Sequence, residues 1–233
     1  MTLWLSIFLW IRTAIIFIPM GIVYLFLSIF TTPQTLHPVA KKFCRVLLWA
    51  MGQKIIFHGS WPKMTTPRIY VFNHASLLDT LVCIAYIREY TLSIGKKEQF
   101  SIPIWGRILR HWGCIPIDRQ NKEKAISQLD ELKKVFHGNT GLLVSPEGTR
   151  SETGALLPLK KGPFHIAEQC QAHIIPIGLY GAFASKNKNS WILRKGVIHA
   201  RIGESIPPTS MSEMREETKN VLLSLMKNPN KSE

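Results

Sequence analysis

Acidic residues are scarce in this chain: 15 Asp and Glu stand against 29 Lys and Arg over 233 residues, a formal net charge of +14 with histidine neutral. Such an excess asks for an anionic partner, whether nucleic acid, a phosphorylated substrate or an anionic membrane surface. The basic residues are dispersed, with no recognition module or ribbon of stacking aromatics, so no nucleic acid is expected. Cysteine is sparse too. Cys44, Cys83, Cys114 and Cys170 form no C-x-x-C pair, which argues against a zinc cluster or a dense disulfide framework and makes a reducing compartment the default. The histidines form no H-x-x-x-H or H-E-x-x-H pattern, so no metal site is expected. A G-x-S-x-G elbow is missing as well, which leaves a serine-hydrolase triad little support. Finally, 46% hydrophobic against 19% charged residues is too apolar for a disordered tail and ample for one packed core.

Charge is nearly absent from one place in particular. Residues 1–31 carry a single charged side chain, Arg12, and 13–30 form an uncharged run of 18. As a helix this run would measure about 27 Å, close to the hydrocarbon thickness of a bilayer, so it could just span. It lacks a positive n-region and a small-residue cleavage site, so it reads as retained rather than as a cleaved signal. Pro19 and Gly21 would kink or interrupt the helix. Residues 38–50 add an amphipathic stretch, with Lys41, Lys42 and Arg45 beside Val39, Phe43, Val46, Leu47 and Trp49. Two arrangements fit, a spanning helix or helices that dip into one leaflet and return, and the breakers favour dipping. The basic cluster after the run, with Lys54, places the body on the cytoplasmic side by the positive-inside rule. We therefore expect a membrane-anchoring helical segment over 1–51 and an α/β domain over 52–233.

From Pro67 onward short apolar runs alternate with helical patterns. Strands are expected at Ile69–Phe72, Leu142–Ser145, His173–Leu179 and Val197–Ile202. Helices are expected at Leu77–Tyr90, Lys122–His137, Pro163–Cys170 and Met211–Lys227, the last opening with Ser212-x-x-Arg215. The alternation predicts a central, mostly parallel sheet flanked by helices.

Chemistry gathers in three places. After the first of these strands, His74 and Asp79 lie five apart at a strand-to-helix junction, where they can meet only if His74 is in the loop and Asp79 in the first helical turn. Ser76-x-x-Asp79 has the form of a capping box with Ser76 at N-cap and Asp79 at N3. Asp79 either merely caps the helix or accepts from His74, fixing its tautomer while the other ring nitrogen removes a proton. A second patch, Gly113 to Arg119, ends in a guanidinium that could hold a phosphate or pair with Asp118 or Glu123. The third, Ser145 to Ser151, follows a strand and concentrates Glu147, Gly148, Thr149 and Arg150. It suits an anion and a substrate hydroxyl, or it is a turn closed by a Glu-Arg pair. Lys96 and Lys97 could add positive potential near a phosphate or simply lie in a solvated loop, and Ile174–Ile177 could line an acyl tunnel or simply fill the core.

Taken together these blocks resemble the glycerolipid acyltransferase family, most closely its bacterial 1-acyl-glycerol-3-phosphate acyltransferases. His74-x-x-x-x-Asp79 is similar to that family's first block, Gly113 to Arg119 to its second, Pro146-Glu147-Gly148-Thr149-Arg150 to its third and Ile175-Pro176-Ile177 to its fourth. The resemblance covers about residues 70–180. It implies transfer of a fatty acyl group from acyl-CoA or acyl carrier protein to the sn-2 hydroxyl of lysophosphatidic acid or another lysolipid, at the cytoplasmic face of the inner membrane. His74 would be the general base and Asp79 its orienting partner. Lys96, Arg119 and Arg150 would hold the phosphate, Glu147, Gly148 and Thr149 would shape the glycerol side, and Pro176 would belong to the acyl pocket. No cofactor or metal is implied beyond the thioester co-substrate. Oxyanion donors, acyl length, carrier and oligomeric state stay open, and a basic membrane binder without catalysis is the rival outside the class.

Overall fold

The computed structural model describes residues 3–118, 136 and 141–228. Arg119 lies outside them, as does the helix expected at Lys122–His137 except for Phe136, which is buried.

Two long helices come first, α1 (Leu3–Ser28) and α2 (Pro33–Ala50). Pro19 does not interrupt α1, a difference from the sequence expectation. Thr32 caps α2 by accepting from the Thr35 amide at 3.4 Å, and Pro33 fills the first turn, where a missing N–H costs nothing. Arg12 then meets the other end of α2. Its guanidinium donates to the Trp49 and Ala50 carbonyls at 2.9 and 2.8 Å and lies 4.8 Å from the Trp49 ring centroid. The one charge in the apolar head thus donates to the Ala50 carbonyl, which the helix leaves open, and shares the Trp49 carbonyl with the Gly52 amide, at the negative end of the dipole.

The body is a seven-stranded sheet in the order β1-β7-β6-β2-β5-β3-β4. The strands are β1 (Gln53–His58), β2 (Arg68–Phe72), β3 (Thr91–Lys96), β4 (Cys114–Ile117), β5 (Gly141–Val144), β6 (His173–Tyr180) and β7 (Gly196–Ile202). Every pairing is parallel except β6 with β7. The four expected strands are therefore present and the mostly parallel sheet stands, while β1, β3 and β4 were not foreseen.

Helices cover both faces. Tyr70, Phe72, Leu143, Ile175 and Ile177 join Leu9, Cys44, Leu48 and Val82 in one core layer beneath α1, α2 and α3 (Leu78–Tyr86). Ile69, Val71, Leu142, Val144 and Ile174 pack on the other face with Phe164, Ile166, Met214 and Leu222. Those four residues belong to α5 (Gly162–Gln169) and α7 (Met211–Leu225); α4 (Trp105–His111) and the short α6 (Ala182–Ser185) complete the described α-helices, beside a 3-10 turn at Lys97–Ser101. Burial on both faces explains why the central strands read as continuous apolar runs instead of alternating. α3 is shorter than its expected span, because the chain turns at Ile87 to enter β3. α7 is capped by Ser210 with Glu213 in a full capping box, two residues before the Ser212-x-x-Arg215 start expected from the sequence.

α1 lies along the body for most of its length. Its buried residues, Ser6, Leu9, Thr13, Gly21 and Tyr24, fall on one helical face. Ser6 Oγ accepts from the Leu193 amide at 2.8 Å, Trp10 donates to the Trp191 carbonyl at 2.8 Å, and Tyr24 bonds His111 of α4 at 3.0 Å. At Gly21 a Cβ would stand 3.0 Å from Ile104, so glycine lets helix and body approach closely. The outward face carries Trp4, Ile7, Phe8, Ile11, Ile15, Ile18, Ile22 and Phe26, all exposed.

Candidate active site

The carboxyl ends of β2, β5, β3 and β4 are neighbours in the sheet, and every block singled out in the sequence except the last emerges there. This is the edge at which open α/β sheets place ligands, because the loops leaving parallel strands converge on it. β2 ends at Phe72, and Asn73 ties it to β6: its amide group donates to the Leu179 carbonyl at 3.0 Å and accepts from the Leu179 amide at 2.7 Å. Sequence reading gave Asn73 no role, since its partner is 106 positions away.

His74 follows in the loop, with its side chain 21% exposed, and Asp79 stands in the first turn of α3, fully buried. Nδ1 of His74 is 3.0 Å from Oδ2 of Asp79. The same Oδ2 accepts from the Ala75 and Ser76 backbone amides, both at 2.7 Å. The two readings of Asp79 are therefore one: the atom that closes the turn also orients the imidazole. The capping box shifts in detail, because the N-cap is Leu77 and Asp79 is the second helical residue, not the third. Ser76 Oγ still accepts from the Leu78 amide at 3.2 Å. A buried carboxylate facing Nδ1 selects the tautomer with the proton on that nitrogen and leaves Nε2 with a lone pair.

The loop after β5 holds His74 by its backbone. Glu147 Oε1 accepts from the His74 amide at 2.5 Å and Oε2 accepts from the Leu157 amide at 2.8 Å, while the Ser151 amide donates to the His74 carbonyl at 2.7 Å. Glu147 is buried, and burial pushes its carboxyl up to about 6, against the opposing pull of the two amides. Both its oxygens are thus engaged by amides, and the Glu-Arg pair is not formed among the described residues. Gly148 has φ of +71°, and a Cβ there would stand 2.8 Å from the Lys160 side chain, so the turn is suited to glycine on two counts. Thr149 is exposed and Arg150 half-buried on the same loop.

Lys96 and Lys97 lie further along the edge, and Pro176 lies within the sheet. Lys96 ends β3, half-exposed and 3.6 Å from Glu98, and Lys97 donates to Asp118 at 2.7 Å. Pro176 is buried in mid-β6 in register with Val71, so it is part of the sheet between β2 and β7. A cavity of ≈ 610 Å³ borders Asp79 and Asn73 and extends to α6 and β7; neither His74 nor Pro176 lines it.

An imidazole held at its ring by a buried carboxylate and at its backbone by a strand-end loop is equipped to take a proton from a hydroxyl group. Residues 54–180 match the family model described as Acyltransferase, and this chain belongs to that family. Among its relatives, the 1-acyl-sn-glycerol-3-phosphate acyltransferase of Helicobacter pylori is 30% identical over 211 residues, 88% of each protein. The enzyme of that name from Haemophilus influenzae is 31% identical over 80% of this chain and 78% of its own. The Cocos nucifera protein of the same name is 37% identical over 76% of this chain, which spans 56% of that longer protein. In fold, the chain is similar to the crystal structure of the 1-acyl-sn-glycerophosphate acyltransferase PlsC from Thermotoga maritima, with a TM-score of 0.81 and 24% identity over 96% of this chain and 94% of that one.

Proposed function

We propose that the protein transfers a fatty acyl group from an acyl-CoA or acyl carrier protein thioester to the sn-2 hydroxyl of lysophosphatidic acid, giving phosphatidic acid. The observation that carries this reading is the 3.0 Å contact of His74 with a buried Asp79 at the sheet's ligand-binding edge, in a chain similar to three proteins named for that reaction. His74 Nε2 takes the proton of the acceptor hydroxyl as its oxygen attacks the thioester carbonyl; the C–O bond forms, the tetrahedral intermediate collapses, and the C–S bond breaks. The leaving thiolate receives the proton from the imidazolium, whose charge Asp79 has meanwhile stabilised. Attack is direct, with no acyl-enzyme, and the reaction calls on no metal or cofactor beyond its thioester substrate. Arg119, Arg150 and Lys96 bind the acceptor phosphate, and Gly148 and Thr149 shape the glycerol side. Pro176 remains the assigned member of the acyl pocket, acting from within β6. Glu147 is a positioning residue for His74.

The protein sits at the inner membrane with this edge on the cytoplasmic face, and α1 lies within one leaflet. Its contacts with the body from Ser6 to Tyr24 support that placement, since a helix crossing the bilayer could not rest along a polar domain for most of its length. A lysolipid held in that leaflet then reaches His74 from the side.

The test is acyl transfer by purified protein from labelled oleoyl and palmitoyl thioesters to lysophosphatidic acid, lysophosphatidylglycerol and glycerol 3-phosphate. Phosphatidic acid is expected, with His74→Ala lowering kcat by about 10²- to 10⁴-fold and Asp79→Asn lowering kcat more than it raises KM. Preference for lysophosphatidylglycerol would keep the mechanism and change the substrate. No transfer from folded protein would leave a basic membrane binder.

A further inference from the structure

Lys186 is the only buried lysine among the described residues, with 4% of its surface exposed. It follows α6, and its carbonyl accepts from Ser76 Oγ at 2.6 Å, which fastens it to the loop carrying His74. Its ammonium donates to the Asn187 carbonyl at 2.7 Å and stands 5.9 Å from the Trp191 ring centroid. An ammonium has three donors. No carboxylate among the described residues lies within 4 Å of it; the nearby Glu152 pairs with Lys188 at 2.8 Å. Burial, first, and the positive charge of Arg150, second, push the Lys186 amine below its ordinary 10.5. Arg150 likewise makes no ion pair among the described residues, and its neighbour Ser151 is hydrogen-bonded to His74. Two cations therefore act on each other near the loop that carries His74, one of them desolvated, with no carboxylate paired to either among the described residues. Such an arrangement is unfavourable until a ligand supplies the negative charge.

We propose that Lys186, together with Arg150, binds the phosphate monoester of the acceptor lysolipid, an assignment that rests on the function proposed above and adds a residue outside all four sequence blocks. A phosphate could also arrive on the thioester donor. The acceptor is favoured by where the segment leads: Trp191 is 85% exposed, accepts at its carbonyl from Trp10 of α1, and is followed by Leu193, which donates to Ser6. Residues 186–193 thus run from the loop carrying His74 to the body-facing side of α1, and an exposed tryptophan beside a lysine suits the headgroup layer of a membrane. A phosphate held there belongs to a lipid whose tail lies along α1.

The test compares wild type with Lys186→Met, which keeps the apolar stem and removes the charge, in detergent micelles and with the full chain. Binding of a 2-deoxy lysophosphatidate, which lacks the reacting hydroxyl, is measured by calorimetry beside the corresponding phosphate-free monoacylglycerol analogue. Affinity for the phosphate ligand is expected to fall about 10- to 100-fold, with the phosphate-free ligand unchanged. In turnover, KM for lysophosphatidic acid rises by a similar factor, kcat and the thioester KM hold, and Lys186→Arg recovers part of the loss. Equal affinity of wild type and variant for the phosphate ligand, equal losses on both ligands, or a KM rise confined to the thioester would each overturn the assignment. The calorimetric arm needs no turnover, so failure of the proposed reaction and failure of Lys186 as a phosphate ligand are separable. If Lys186→Met does not fold, Lys186→Gln carries the same comparison.

Discussion

Glu147 has a task that its position in the third block does not reveal. Its two oxygens hold the amides of His74 and Leu157, 73 positions before it and 10 after. The folded-state value of about 6 lies above the ordinary 4.5, so the fold favours the protonated form. Its contribution to stability is therefore full below about 4.5 and is lost as pH rises through about 6, a span worth about 2 kcal/mol at most. Glu147→Gln removes this titration. The unfolding midpoint of wild type relative to the variant is expected to decline between pH 4.5 and 6.5 and to be flat above, followed by differential scanning calorimetry across that range. A difference that stays constant with pH would show that Glu147 is not destabilised by its burial. At this scale His74, Asp79, Gly148 and Arg150 were legible because each sits in a short motif whose chemistry is local. Asn73, Lys186 and the amide-holding role of Glu147 were not, because their meaning lies in partners between 73 and 110 positions away, or, for Lys186, in the absence of a paired carboxylate among the described residues.

Among the elements, α1 and α2 depend on one guanidinium. Arg12 reaches from the middle of α1 to the last carbonyls of α2, and Arg45 repeats the device by donating to Ala85 near the end of α3 at 3.1 Å. Arg12→Leu leaves two carbonyls at the end of α2 without these donors and removes a charge that the helix dipole favours. Stability in detergent should fall by about 1–3 kcal/mol, read from the shift in thermal unfolding midpoint, with kcat of the surviving folded fraction close to wild type. A midpoint within a degree of wild type would show that water satisfies those carbonyls equally well. The sequence marked Arg12 as the single charge of the head and gave it no task. It also marked Pro19 as a breaker, yet the helix continues, since α1 is held along its length by contacts with the body that outweigh one missing N–H. The strands β1, β3 and β4 escaped notice because they carry mixed burial, unlike the wholly buried β2 and β5.

For the molecule as a whole, the sequence contained an apolar head and a basic body, and only their packing distinguishes a span from a helix lying in one leaflet. The face of α1 turned to the body mixes Ser6, Thr13 and Gly21 with the buried Leu9 and Tyr24, while Trp4, Phe8, Ile11, Ile15, Ile18, Ile22 and Phe26 are exposed on the other side. The proposed placement predicts that Trp4→Cys and Thr32→Cys, each in a Cys170→Ser background, react with a membrane-impermeant maleimide from the same side of sealed vesicles. Reaction from opposite sides would establish a span and end the single-leaflet arrangement.

By itself the sequence determined the α/β class, the central buried strands, the apolar head and the His74–Asp79 pair, because burial periodicity, capping chemistry and loop motifs act over a few residues. The tertiary structure decided what joins them: the strand order that gathers the blocks on one edge, the loop that clamps His74 from both sides of its backbone, and the segment that leads from Lys186, beside the His74 loop, to α1. Those links are contacts between residues far apart in the chain, and no local pattern encodes which distant partner a buried amide, carbonyl or ammonium will meet.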